Sequence, residues 1–287
     1  MKGTSKTNFI CLAALSLLGN SLIIMRFTGN AANDILGLVS AVFASAATAL
    51  IIKLVCQTHF KDYIKRKTIV LGGGLILTAL LLAAVIIFTV YNFSQFASNI
   101  MLNTKNIFFP FVSVSAVAVF LGLSGKKVLY KLSAIILPLT FIIIILMFAY
   151  SVRFMDNKYF IPYKKADGGF LDAFLPFYLN FTFSSVPLLI IGKSEKKRIF
   201  TYSFIILFVV IGIGIGFITT LGIFGSELAS TLRYPYLSAV STAAMGEIFS
   251  RFDGFLYFIS FFSVLIKTGL CVFLFKEIFL KIFKLYY

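Results

Sequence analysis

Tryptophan is absent from this 287-residue chain, histidine occurs once, and cysteine occurs 3 times. The lone His59 stands beside a basic stretch, which excludes a histidine-built metal centre and the HExxH arrangement of zinc hydrolases. Cys11, Cys56 and Cys271 have neither metal-ligand spacing nor a disulfide framework, and they read as small apolar packers. There is no GxSxG motif, and no paired carboxylates fall inside the apolar runs, so no catalytic machinery and no cofactor are expected. Gly72-Gly73-Gly74 lacks the Lys-Ser/Thr of a phosphate loop and reads as close helix packing or a soft helix start. With tryptophan missing, 13 Tyr and 35 Phe must supply the bulky and interfacial side chains.

Charge is the second scarcity. Only 13% of residues are charged, 60% are hydrophobic, and the mean hydropathy is +1.01. Residues 7–25, 35–52 and 68–104 hold no charged side chain at all. Such a chain belongs in a lipid bilayer, where a helix needs about 20 mainly apolar residues to cross the hydrocarbon core. The runs predict an all-α integral membrane protein with eight transmembrane helices, over residues 9–25, 35–57, 69–91, 107–123, 129–151, 170–192, 199–221 and 255–275. Helices fit better than a β-barrel because the runs are continuous and do not alternate. The fourth span is short, and Pro110 blurs its start. Ala13-Ala14 has cleavage-site composition, but the apolar run continues to Met25, so a retained first span is expected.

Basic residues alternate between the gaps. Lys2, Lys6, Lys61, Lys65, Arg66, Lys67, Lys126, Lys127, Lys131, Lys193, Lys196, Lys197, Arg198, Lys276, Lys281 and Lys284 fall on one side. Arg26, Lys105, Arg153, Lys158, Lys164, Lys165, Arg233 and Arg251 fall on the other. The excess predicts both termini in the cytoplasm. The net charge of +16 then reads as an anchor to anionic lipid, not a nucleic-acid surface, because the clusters are short and separated.

Two spans carry helix-weakening residues at corresponding places. The first contains Leu18-Gly19-Asn20-Ser21; the sixth contains Asn180, Thr182, Ser184 and Ser185, flanked by Pro176 and Pro187. Glycine weakens a helix, proline removes one of its bonds, and short polar side chains bond to freed backbone groups. Spans one and six run in opposite directions. Breaks in such a pair point to inverted repeats meeting at a midplane solute site. Plain helix packing by small residues is the alternative.

Lys267 sits inside the eighth span. An ammonium there must face a polar interior, where it can substitute for a coupling cation, unless the span starts later and Lys267 lies near an interface. Between spans seven and eight, residues 233–252 predict a short outer helix, surface-lying or re-entrant. Pro235 suits its first turn, and Glu247 and Arg251 are spaced to pair.

These residues carry a resemblance. Leu232-Arg233-Tyr234-Pro235, then Met245-Gly246-Glu247-Ile248-Phe249-Ser250-Arg251-Phe252-Asp253, resemble the Tyr-Pro and Gly-Glu-Phe-Leu-Glu-Arg-Leu-Asp segment of the spore germination permease family. That family comprises the membrane-embedded B subunits of endospore germinant receptors. Phe262-Ser263-Val264-Leu265-Ile266-Lys267-Thr268 is similar to its Phe-Ile-Lys-Ile-Ser continuation, and Leu221-Gly222-Ile223-Phe224-Gly225-Ser226-Glu227-Leu228 to its Leu-Gly-Pro-Glu-Leu turn. Ile136-Leu137-Pro138-Leu139 and Tyr159-Phe160-Ile161-Pro162 follow the order more loosely. The family is similar to amino acid–polyamine–organocation permeases, whose inverted-repeat core has about ten helices. The resemblance therefore implies a shortened 5+3 bundle with broken helices 1 and 6. Residues 1–151 form the first repeat and residues 170–287 an incomplete second one. Ser250 stands where the family has its second glutamate.

The implied site lining is Gly19, Asn20, Ser21, Phe183, Ser184 and Ser185, with Lys267, Glu247, Arg251 and Pro187 in coupling or structural roles. The implied function is a germinant receptor subunit in the spore inner membrane or cell membrane. It binds an amino acid, sugar or nucleoside and signals through A and C partner subunits. A proton-coupled amino-acid transporter and a non-binding anchor subunit remain as alternatives.

Overall fold

A computed structural model describes residues 6–23, 25, 27–58, 68–104, 106–160, 171–172, 174–175, 178, 199–243 and 252–286. Among these residues there are eight α-helices and no strand. They are α1 (Lys6–Ile23), α2 (Ala31–Thr58), α3 (Thr68–Phe96), α4 (Phe108–Ser124), α5 (Lys126–Ser151), α6 (Ile199–Thr231), α7 (Pro235–Ala243) and α8 (Phe252–Tyr286). A π-helical turn, Ala97–Met101, ends α3, and two 3-10 turns, Val152–Phe154 and Asn157–Phe160, follow α5.

Four segments are long and apolar enough to cross a membrane: Ile76–Ile100, Lys126–Phe154, Val209–Thr231 and Gly254–Leu280. Shorter apolar stretches cover Phe9–Leu18, Ala31–Ala44 and Phe108–Ser124. Seven of the expected spans thus coincide with helices; of the sixth, only Leu171, Asp172, Phe174, Leu175 and Tyr178 are among the described residues, and these are helical. The outward faces of α3, α4 and α5 expose large apolar side chains in rows, including Leu77, Leu80, Ile87, Phe109, Phe120, Ile135, Ile142 and Ile145. Water would not tolerate an apolar surface of that extent on a monomer, whereas hydrocarbon solvates it.

α1 and α8 form the middle of the bundle. α1 is enclosed on every side, with residues Cys11 to Leu18 all buried, and it packs on α5, α6 and α8. A helix that is apolar all round suits such a central place. α8 packs in turn on α1, α3, α4, α5 and α7. Small residues allow these close approaches. A side chain at Gly212 or Gly216 of α6 would strike Leu18 or Leu22 of α1, at 2.8 Å and 2.9 Å. A Cβ at Gly122 of α4 would lie 2.6 Å from Val272 and 2.8 Å from the Gly269 carbonyl of α8. Aromatic contacts fasten the α3 end to the start of α8, with Phe96 against Tyr257 and Phe93 against Phe261, and to the residue before α7, with Phe96 against Tyr234.

α7 begins at Pro235, where the missing N–H costs nothing. It does not lie on a surface: Tyr236, Leu237, Ala239, Val240 and Ala243 are buried against α5, α6 and α8. Residues 244–251, including Glu247 and Arg251, lie outside the described residues.

α6 is not one rod. Gly225 has φ 68° and ψ 171°, so the helix breaks there and restarts at Ser226. That backbone region is open to glycine and strained for L side chains. Tyr159 packs across the break, 2.8 Å from where a Cβ would stand.

Candidate functional site

The interior face of α8 carries Ser260, Ser263, Lys267 and Cys271. Steps of three, four and four residues bring these side chains to one face of a helix. All four are buried, and Lys267 is 1% exposed. Lys267 therefore lies deep in the bundle and not at its edge. Thr268, next to it, donates its hydroxyl to the Val264 carbonyl at 2.7 Å and is satisfied within the helix. The hydroxyls of Ser260 and Ser263 have no such partner.

The helices packed on α8 repeat this pattern. Thr89 of α3, Thr140 of α5 and Tyr236 of α7 each carry a buried hydroxyl without a hydrogen-bond partner among the described residues. A buried unpaired hydroxyl costs about 1–3 kcal/mol. Such hydroxyls on α8 and on the helices packed against it, in a bundle otherwise built from Leu, Ile and Phe, make an interior able to accept hydrogen bonds from a polar solute or water, or to donate them. Neighbouring hydroxyls outside this set bond locally. Ser133 donates to the Tyr130 carbonyl at 3.0 Å, and Thr220 donates to that of Gly216 at 2.8 Å.

The break expected in the first span is displaced. α1 runs unbroken through Gly19 and Asn20 and ends at Ile23. Ser21 is buried, and its Oγ donates to the Leu17 carbonyl at 2.6 Å, inside the helix. One glycine costs a helix only about 1 kcal/mol. The packing of α5, α6 and α8 around α1 outweighs that, so the backbone dipoles at Gly19–Asn20 are spent on the helix itself. Of the other expected site residues, Phe183, Ser184, Ser185 and Pro187 lie outside the described residues. The structure does bring α1 against the helix bearing Lys267.

The chain leaves helical geometry just after α1, and here lies a polar centre that composition did not reveal. Asp34, in the first turn of α2, is fully buried. Its Oδ1 accepts the Thr28 N–H at 2.7 Å and the Thr28 hydroxyl at 2.8 Å; its Oδ2 accepts the Ser226 hydroxyl. Asn30 caps α2, its Oδ1 accepting the Ala32 N–H at 3.1 Å and its carbonyl accepting the Asp34 N–H at 3.0 Å. A carboxylate in the first helical turn also meets the positive end of the helix dipole. Ser226 directly follows the Gly225 break. Asp34 therefore ties the α1–α2 link to the restart of α6, across 192 residues of sequence. Thr28-Gly29-Asn30 ahead of a charge-free run was a readable cap signal; the partner at Ser226 was not.

Among the described residues, no group of His, Cys, Asp and Glu is placed to hold a metal ion. Cys11 and Cys271 are buried free thiols. No protein-family model matches the chain, and no curated protein matches it.

Proposed function

We propose that this chain is a solute-binding subunit embedded in a membrane, and that its interior row around Lys267 receives a small polar solute such as an amino acid. The observation that carries this reading is the buried Lys267 in line with Ser260 and Ser263, whose hydroxyls have no partner among the described residues. Ionisable residues inside spans are expensive and mark solute or ion paths. The same geometry gives an anchor-only subunit no reason to hold them.

The finer reading follows the likeness to germinant receptor B subunits. In it the chain crosses the membrane eight times with both termini in the cytoplasm, as a shortened 5+3 inverted repeat in the spore inner membrane. A germinant bound in the interior shifts the helix equilibrium, and A and C partner subunits read the shift. Such signalling requires different affinities in the two states. The break supporting motion in this reading is Gly225, not Gly19–Asn20.

The test is binding of a panel of radiolabelled amino acids, sugars and nucleosides to the purified chain in lipid nanodiscs. One class should bind saturably, and Lys267→Met should weaken it by about tenfold or more, the loss of a charged hydrogen bond. Saturable binding indifferent to Lys267→Met and to Ser263→Ala would overturn the interior site. Lys267 also suits proton coupling, so proteoliposome uptake driven by a pH gradient distinguishes a transporter from a sensor.

A further inference from the structure

A cavity of about 650 Å³ opens where the α1–α2 link meets the end of α6, beside the Asp34 centre. Phe27, Leu171, Leu175 and Leu232 supply its apolar lining, and Asp172 and Arg233 its two charges. Leu171 and Leu175 are each in helical backbone and line the cavity together. Phe27 is held by stacking on Phe217, with ring centroids 5.1 Å apart.

The two charges do not neutralise each other, since no salt bridge joins them. Asp172 is exposed and meets no hydrogen-bond or ion-pair partner among the described residues. The Arg233 guanidinium lies over the Tyr234 ring, 5.6 Å from its centroid, and gives Gln95 a single long bond of 3.4 Å. Arginine has five N–H donors in a fork that fits a carboxylate, so most of its capacity stays available. The contact with the Tyr234 ring favours a guanidinium held at the cavity wall. The cavity thus presents an anion, an oriented cation and an apolar wall together. Its volume falls within the range of about 300–1,000 Å³ of ordinary ligand pockets.

We propose that this cavity is a capture site for zwitterions with an apolar side chain: Arg233 takes the carboxylate, Asp172 takes the ammonium, and Phe27, Leu171, Leu175 and Leu232 cover the side chain. It is separate from the Lys267 row and does not require it. Thr28 also lines the cavity while its N–H and hydroxyl bond to Asp34. Occupancy therefore bears directly on the contact that joins the α1–α2 link to the α6 break.

The probe is L-leucine, measured by equilibrium binding to the full chain in phosphatidylglycerol nanodiscs, whose headgroups carry no ammonium. L-leucinamide and 4-methylpentanoate each keep one charged end and the side chain. L-leucine should bind more tightly than either. Arg233→Gln and Asp172→Asn should each weaken L-leucine by about tenfold, one charged hydrogen bond. Arg233→Gln should leave leucinamide unaffected, and Asp172→Asn should leave 4-methylpentanoate unaffected. Leu175→Trp, which fills the cavity from its apolar wall, should abolish binding of all three. L-leucine binding that survives all of these changes but falls with Lys267→Met would overturn the capture site and leave the interior reading standing. Absence of L-leucine binding by the parent chain up to saturating concentrations would overturn it outright. Phosphatidylethanolamine carries the same pair of charges. Displacement of L-leucine when that lipid is added to the disc, through Asp172 and Arg233, would assign the cavity to a headgroup and overturn capture of a free solute.

Discussion

Replacing Asp34 with alanine probes whether a single buried carboxylate holds the α1–α2 link to the α6 break. The side chain accepts three hydrogen bonds, two from Thr28 and one from Ser226. A hydrogen bond to an ionised partner contributes about 1.5–3 kcal/mol. The two Thr28 donors are only partly buried and regain some bonding to water, while Ser226 is buried and does not. Alanine also removes the cost of keeping a carboxylate out of water, which offsets several kcal/mol of the loss. The balance is a destabilisation of about 2–4 kcal/mol, at the upper end for single substitutions. Asp34→Asn keeps one acceptor oxygen and should cost about half as much. Ser226→Ala should cost about 1 kcal/mol, and the double variant should show a coupling of about 1–2 kcal/mol. Denaturant and thermal unfolding of the purified chain in nanodiscs measure all four. Strict additivity of Asp34→Ala and Ser226→Ala, or an alanine variant as stable as its parent, would refute the role given to this carboxylate.

Three further outcomes follow from the same structure. Gly122→Ala should destabilise the chain by about 2 kcal/mol through overpacking against Val272 and the Gly269 backbone, whereas Gly214→Ala, with open space around it, should be neutral or slightly stabilising in the same melts. Gly225→Ala should cost about 1–2 kcal/mol, because φ 68° strains any side chain and Tyr159 blocks the site; equal melting of variant and parent would argue against a break at this residue. Ser263→Ala should leave the solute-free chain as stable or raise its stability by about 1 kcal/mol, since it deletes an unpaired hydroxyl, yet it should weaken solute binding; a drop in stability would show that the hydroxyl has a structural partner.

How much was legible varies from element to element. The helical, membrane-suited character of α3 and α5 was plain from charge-free runs as long as a bilayer requires, and that of α8 from an apolar run broken only by Lys267. Lys267 stood out because a lone ammonium among Phe, Leu and Ile is costly wherever it ends up. The break at Gly19–Asn20 was misplaced because local propensity is worth about 1 kcal/mol per residue, less than the packing of three helices around α1. Gly225 fell beyond the expected span 199–221, in the segment that resembles a turn; the helix instead restarts at Ser226 and runs on to Thr231, and nothing local in Phe224-Gly225-Ser226 distinguishes a helix that breaks from one that ends.

Hydropathy alone determined that this chain folds as apolar helices suited to lipid, since removing peptide groups from water forces local hydrogen bonding and the side chains pay no penalty in hydrocarbon. Which helices became central, and which polar groups met, was decided only in three dimensions. Asp34 finds Ser226, Phe27 shares a cavity with Leu171 and Leu232, and the helices bearing Thr89, Thr140 and Tyr236 pack on α8, through contacts between segments far apart in the chain that no local pattern encodes.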